Sequence, residues 1–252
     1  MYDRSVVRST IKQRTPLLTI KKAPAALLTA CLIGAALGPA AHALNSVNGV
    51  DVSSHQNTDG PIRWIETSLS GQRFAYVKAT EGTGYINPTY LADSNIPKYV
   101  GMAVGSYHYA RPSLAPGSAV SQAHFFANTS IVSHFPTLPP VLDIEDSGGL
   151  NPTQLQAWVR EYLQVVKLRT GRDAMIYTYP NFWRTAMGNT TEFSDHPLWI
   201  AHYGTNTPDI PGGWEYVTIH QYSSTGRVAG INNPVDLNRF NGNAAQLARF
   251  LR

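Results

Sequence analysis

Eight short runs of apolar, β-branched and aromatic residues recur along the chain, at 47–52, 74–79, 103–109, 140–144, 174–179, 198–201, 217–222 and 235–240. They dictate most of what it can fold into. Most are continuously apolar rather than alternating, which is how strands buried on both faces of a parallel sheet read. Helical patterns lie between the earlier runs. The clearest starts at Asn151, suited to an N-cap, with Pro152 at the first helical position. Leu155, Trp158, Val159, Tyr162, Leu163 and Val166 follow at three- and four-residue spacing, and Gly171 suits a stop. Further helices are expected near 117–130, near 88–100 where Pro97 interrupts, and at 244–251. The later strands are closer together and leave no room for full helices. The expected class is therefore α/β, a single incomplete TIM-like β/α barrel of about eight strands with fewer helices. An open doubly wound sheet would want a glycine-rich phosphate loop after its first strand. Here Gly49-Val50-Asp51 leads into Ser53-Ser54-His55 instead.

In such a barrel the chemistry collects where strands end. Leu142-Asp143-Ile144-Glu145 is the sharpest feature there. Period two puts Asp143 and Glu145 on one face with Cα atoms roughly 6.6 Å apart. Leu142 and Ile144 then face the helices, and the carboxylates face the barrel mouth. Mutual repulsion and partial burial should raise one pKa, leaving a proton donor beside an ionised partner. Glycoside hydrolysis needs that pairing. A D-x-E by itself is equally an acidic strand end or a cap for the helix at Asn151. Asp51 and Asp236, on two further strand ends, favour function, because three strands supplying carboxylates to one rim is uncommon in a chain with 14% charged residues.

Aromatic residues crowd the same strand ends: Tyr107, Tyr109, Tyr177, Tyr179, Trp199, Tyr203 and Tyr222, with Gln221 beside the last. Flat amphipathic rings suit sugar faces, and phenol hydroxyls suit hydroxyl and acetamido groups. Period two sends about half of these rings into the core instead. His55, His108, His202 and His220 also lie near strand ends, but no H-x-H or H-x-x-x-H spacing supports a metal site. No G-x-S-x-G elbow supports a serine nucleophile.

The apparent basicity belongs to the N-terminus. Six Lys and Arg against Asp3 give residues 1–22 a charge of +5, so the whole-chain +4 leaves −1 for the rest. That excludes a nucleic-acid reading of the body. Residues 23–41 are small and apolar, and Ala41-His42-Ala43 is an A-x-A site. Residues 1–43 are thus expected to be a secretory signal peptide, and 44–252 the mature barrel, with no membrane attachment after cleavage. Leu28-Thr29-Ala30-Cys31 resembles a lipoprotein box, but the apolar stretch before Cys31 is short. The mature part has no Cys, which suits an oxidising exterior.

In order along the chain, Gly49-Val50-Asp51-Val52-Ser53-Ser54-His55-Gln56, Phe74-Ala75-Tyr76-Val77-Lys78-Ala79-Thr80-Glu81-Gly82, Gly105-Ser106-Tyr107-His108-Tyr109-Ala110, Leu142-Asp143-Ile144-Glu145, Ile176-Tyr177-Thr178, Leu198-Trp199-Ile200-Ala201 and Val235-Asp236-Leu237-Asn238-Arg239-Phe240 resemble glycoside hydrolase family 25, the Chalaropsis-type lysozymes. The resemblance implies a β/α barrel with missing helices that cleaves the β-1,4 bond between N-acetylmuramic acid and N-acetylglucosamine in peptidoglycan. It implies Glu145 as general acid, Asp143 as support for the 2-acetamido group, Asp51 and Asp236 lining the site, and no metal or organic cofactor. A secreted monomer acting on glycan strands is expected, with Tyr107, Tyr109, Tyr177, Trp199, Tyr203 and Gln221 contacting substrate. Many relatives carry appended wall-binding repeats; with Arg252 as the last residue, targeting is expected from the groove or a partner. Retention and inversion both stay open, because a spacing near 6–7 Å lies between the usual ranges. So do a non-catalytic glycan-binding barrel and a hydrolase of another 2-acetamido polysaccharide such as chitin.

Overall fold

The computed structural model of the chain describes residues 46–133 and 137–251. The expected signal peptide at 1–43, with Cys31 and His42, lies outside the described residues. Among the described residues nine strands form: β1 Ser46–Val52, β2 Phe74–Glu81, β3 Tyr85–Ile86, β4 Ala103–Tyr109, β5 Val141–Asp143, β6 Met175–Thr178, β7 Leu198–Ala201, β8 Ile219–Gly226 and β9 Val235–Asn241. All eight expected strands are present. The addition is β3, a two-residue strand that folds back on the end of β2.

The order β1-β9-β8-β7-β6-β5-β4-β2 closes through a β1–β2 pairing, so eight strands make a barrel and β3 hangs outside it. Seven barrel strands run parallel. The eighth, β9, is antiparallel to both β8 and β1. This departs from an all-parallel barrel, and the cause is a short connection: only residues 227–234 join β8 to β9, too few for a crossover. The reversal puts the start of β9 at the rim where the other strands end, opposite Asp51 in register.

Among the described residues six α-helices cover part of the outside: α1 Trp64–Leu69, α2 Tyr90–Tyr99, α3 Ser118–Ser130, α4 Pro152–Thr170, α5 Pro180–Thr185 and α6 Ala244–Ala248. The α4 helix begins as its sequence dictates. The Asn151 side chain accepts from the Gln154 N–H at 3.0 Å, and Gln154 Oε1 accepts from the Asn151 N–H at 3.0 Å. Gly171 ends it in the left-handed region at φ 70°. The α6 helix is shorter than the expected 244–251. No full helix separates the last three strands.

Strand alternation sorts side chains into two cores. Val50, Val77, Val104, Leu142, Ile144, Ile176 and Ile200 face outward and pack beneath the helices with Trp158, Tyr162 and Phe126. Phe74, Tyr76, Val141, Met175, Trp199, Ile219 and Phe240 fill the barrel. Two glycines make room for the interior rings. A Cβ on Gly105 would lie 2.1 Å from the Tyr76 ring, and one on Gly49 would lie 2.5 Å from Phe74. Trp199 crowns the filling, with Tyr76 and Tyr177 both 4.9 Å away between ring centroids.

Candidate active site

The rim encloses a cavity of about 300 Å³ lined by Asp51, Lys78, Tyr107, Tyr109, Asp143, Glu145, Tyr177, Trp199, Tyr203, Gln221 and Asp236. The four candidate carboxylates and the six expected substrate contacts therefore share one pocket. Tyr179 sits apart, in an adjoining cleft of about 590 Å³ that shares Glu145, Tyr177 and Tyr203 with the pocket. Tyr222 lies outside, its ring 4.1 Å from the Arg239 guanidinium. His108 points away, buried, bonded to Thr80 Oγ1 at 2.7 Å and Gln122 Oε1 at 3.1 Å. His220 bonds the His202 carbonyl at 2.8 Å.

Asp143 ends β5, and the extended backbone continues past it. The Ile144 N–H donates to the Tyr177 carbonyl at 3.0 Å, and the Ala110 N–H to the Asp143 carbonyl at 2.9 Å. That keeps the alternation going, so Ile144 is buried among the outer core and Glu145 returns to the pocket. Asp143 is only 6% exposed, and its Oδ1 has no hydrogen-bond partner. Burial raises its pKa well above the usual carboxylate range, and the charge of Glu145 adds to that. Burial also raises Glu145, opposed by Lys78, Arg111 and a hydrogen bond from Tyr109, and reinforced by Asp51. Two acids so arranged retain a proton at a pH where exposed carboxylates have lost theirs.

Asp51 is also 6% exposed, but it is well satisfied. Its Oδ1 accepts from Gln221 Nε2 at 2.9 Å and from Asn238 Nδ2 at 2.8 Å. Each amide is fixed from behind. Gln221 Oε1 accepts from the Tyr177 and Tyr203 hydroxyls at 2.9 and 2.8 Å, and Asn238 Oδ1 accepts from the Trp199 indole at 2.8 Å. Burial pushes Asp51 up to about 6 despite these donors. Asp236, opposite it, is pushed to about 8 by burial, by the Asp51 charge and by its hydrogen bond to Asp51. Burial and mutual repulsion thus leave this second pair sharing a proton. The four carboxylates do not carry four charges at neutral pH.

Lys78 in the pocket wall and Asn238 behind Asp51 escape the sequence reading. Lys78 has the inward parity of Phe74 and Tyr76, and a lone Lys in an apolar strand was the signal. Asn238 lies two residues beyond Asp236 and so shares its face. The opposite end of the barrel holds a larger groove of about 840 Å³, but its lining, which includes Arg73 and Lys98, contains no carboxylate.

Residues 50–231 match the model of the glycosyl hydrolases family 25. The chain is 40% identical over 220 residues to lysozyme M1 of Streptomyces globisporus, covering 84% of this chain and 72% of that protein. It is 33% identical over 201 residues to the N,O-diacetylmuramidase of a Chalaropsis species, covering 75% and 93%. Among solved structures, the bacterial lysozyme from Streptomyces coelicolor superposes with a TM-score of 0.75 at 38% identity, over 81% of this chain and 96% of that one. A family GH25 lysozyme from Aspergillus fumigatus superposes at 0.72 with 31% identity, over 81% and 98%.

Proposed function

Because the chain belongs to the glycosyl hydrolases of family 25, we propose that its acidic pocket works as that of a lysozyme, cutting the β-1,4 bond between N-acetylmuramic acid and N-acetylglucosamine with Glu145 as the acid. The chain is a peptidoglycan-hydrolysing muramidase. The observation that carries this reading is the Asp143–Glu145 pair at the pocket rim: burial raises both acids, so the pair holds a proton, and Asp143 Oδ1 has no hydrogen-bond partner.

Glu145 gives its proton to the glycosidic oxygen as that oxygen leaves C1. Asp143 accepts the N–H of the substrate's 2-acetamido group, so that the acetamido carbonyl oxygen closes on C1 as the C1–O bond breaks. Glu145, now a carboxylate, takes a proton from the water that opens the ring and is restored. Asp51, fixed by Gln221 and Asn238, and Asp236 hold sugar hydroxyls at the pocket wall. Tyr107, Tyr109, Tyr177, Tyr203 and Trp199 supply its aromatic surface. No metal or organic cofactor enters this scheme.

Residues 1–43 act in this reading as a signal peptide, and the monomeric barrel acts on glycan strands outside the cytoplasm. Among the described residues, no helix is long and apolar enough to cross a membrane. The test of the acid is Glu145→Gln. It should fold as wild type does and lose about a hundred- to ten-thousand-fold in kcat. Turnover at the wild-type rate would remove Glu145 from the mechanism.

A further inference from the structure

Lys78 is the one cationic side chain lining the acidic pocket among the described residues. It is largely buried, at 15% side-chain exposure, and ion-paired with Glu81. Its ammonium stands 4.7 Å from the centre of the Tyr109 ring, and the Arg111 guanidinium stands 4.5 Å from the same ring. Glu81 also holds Arg111, at 2.6 and 3.0 Å. Arg111 passes on to Asp146 at 2.9 Å, the residue next to Glu145. Tyr109 and Glu145 line the same pocket. A cation on an aromatic face is attracted to the ring quadrupole, and more strongly where water is excluded.

We propose that Lys78 is a positioning residue for glycoside cleavage: clamped by Glu81, its ammonium seats the Tyr109 ring against Glu145 and supplies the fixed positive charge that sets the proton count of the Asp143–Glu145 pair. This rests on the reading of that pair as catalytic. The surroundings leave the role to Lys78. From β1 and β9 the pair faces Asp51 and Asp236, which oppose ionisation. From β4, β6 and the loop after β7 it faces the phenols of Tyr107, Tyr109, Tyr177 and Tyr203, and from α4 that of Tyr162. Arg111 is half exposed and shared between Glu81 and Asp146, so solvent screens its charge. Lys78 opposes the upward shift of both acids, and Glu81 adds to that of Asp143.

The signs follow. A nearby positive charge favours the ionised carboxylate, so removing it raises both pKa values of the pair. Lys78→Met keeps the apolar stem and should move both limbs of the kcat/KM profile to higher pH, by of the order of one pH unit. Glu81→Gln keeps an acceptor for Lys78 and removes the opposing charge, so both limbs should move to lower pH. Lys78→Arg should stay near the wild-type profile. A purely structural ion pair would cost rate or stability without moving the limbs. Thus Lys78→Met with unmoved limbs, or Glu81→Gln shifting the same way as Lys78→Met, overturns the proposal. Carbon-13 carboxyl NMR titration of the same proteins reads the same shifts without turnover. It therefore separates a failure of Lys78 from a failure of the muramidase reading. Carboxyl titrations of wild type and Lys78→Met that coincide would reject the role of Lys78 even if the chain cleaved nothing.

Discussion

At the residue scale the pocket trades stability for chemistry. Burial and the Asp51 charge push Asp236 up to about 8 from an ordinary 3.8. A carboxyl raised in this way stabilises the fold fully below its unfolded pKa, and that contribution is lost as pH rises through the folded one. Thermal stability should therefore decline from about pH 4 to about pH 8. Asp236→Asn keeps a donor for Asp51 and removes the buried charge. Its Tm should exceed that of wild type in alkaline buffer, by roughly 2–4 °C for each kcal/mol recovered, while its activity falls. Scanning calorimetry at two pH values checks this, and a variant less stable than wild type above pH 8 would contradict that upward shift. Asp51, Asp143, Glu145 and Asp236 were legible in the sequence because strand parity and an acidic group at a strand end are local signals. The amides that brace Asp51 were not legible in that role. Gln221 was expected to contact substrate, and Asn238 is an ordinary polar residue until the barrel closes and brings β1, β8 and β9 side by side.

At the element scale, what could be read depended on length. The nineteen-residue α4 helix carries both caps and a long apolar stripe in its own sequence. Asn151→Ala should lose the capping box and about 1 kcal/mol of stability, with kcat unchanged. Denaturant melts and steady-state rates on the same sample check both halves. The α1 and α5 helices have six residues each and β3 has two, too short for any periodicity to emerge. The direction of β9 lay in the shortness of the 227–234 connection rather than in the strand itself. The interior glycines were invisible as packing devices, because only the β2–β4 register puts Gly105 under Tyr76. Gly105→Ala should cost about 1–3 kcal/mol by overpacking, and lower activity as Tyr76 is pushed toward Trp199. A well-folded, fully active Gly105→Ala would show that the barrel filling is softer than its contacts imply.

At the scale of the whole molecule, the fold gathers groups from distant stretches of chain at one rim. Asp51 and Asn238 are 187 residues apart and meet at 2.8 Å. Reversing β9 is what allows Asp236 to join strand ends that run the other way. The positive N-terminus stands outside this account of the barrel, and the proposal that it is an export signal predicts that exported protein begins at Leu44. Intact-mass analysis of that protein reads it directly, and a chain still beginning at Met1 would refute cleavage. The central claim is the identity of the bond cut. The chain and its Glu145→Gln variant should be incubated with purified peptidoglycan, the products reduced with borohydride, and the new ends identified by mass spectrometry. Reduced muramic acid at the new ends, absent with the variant, is the predicted result. Reduced glucosamine ends, or no new reducing ends from the wild-type chain, would contradict it.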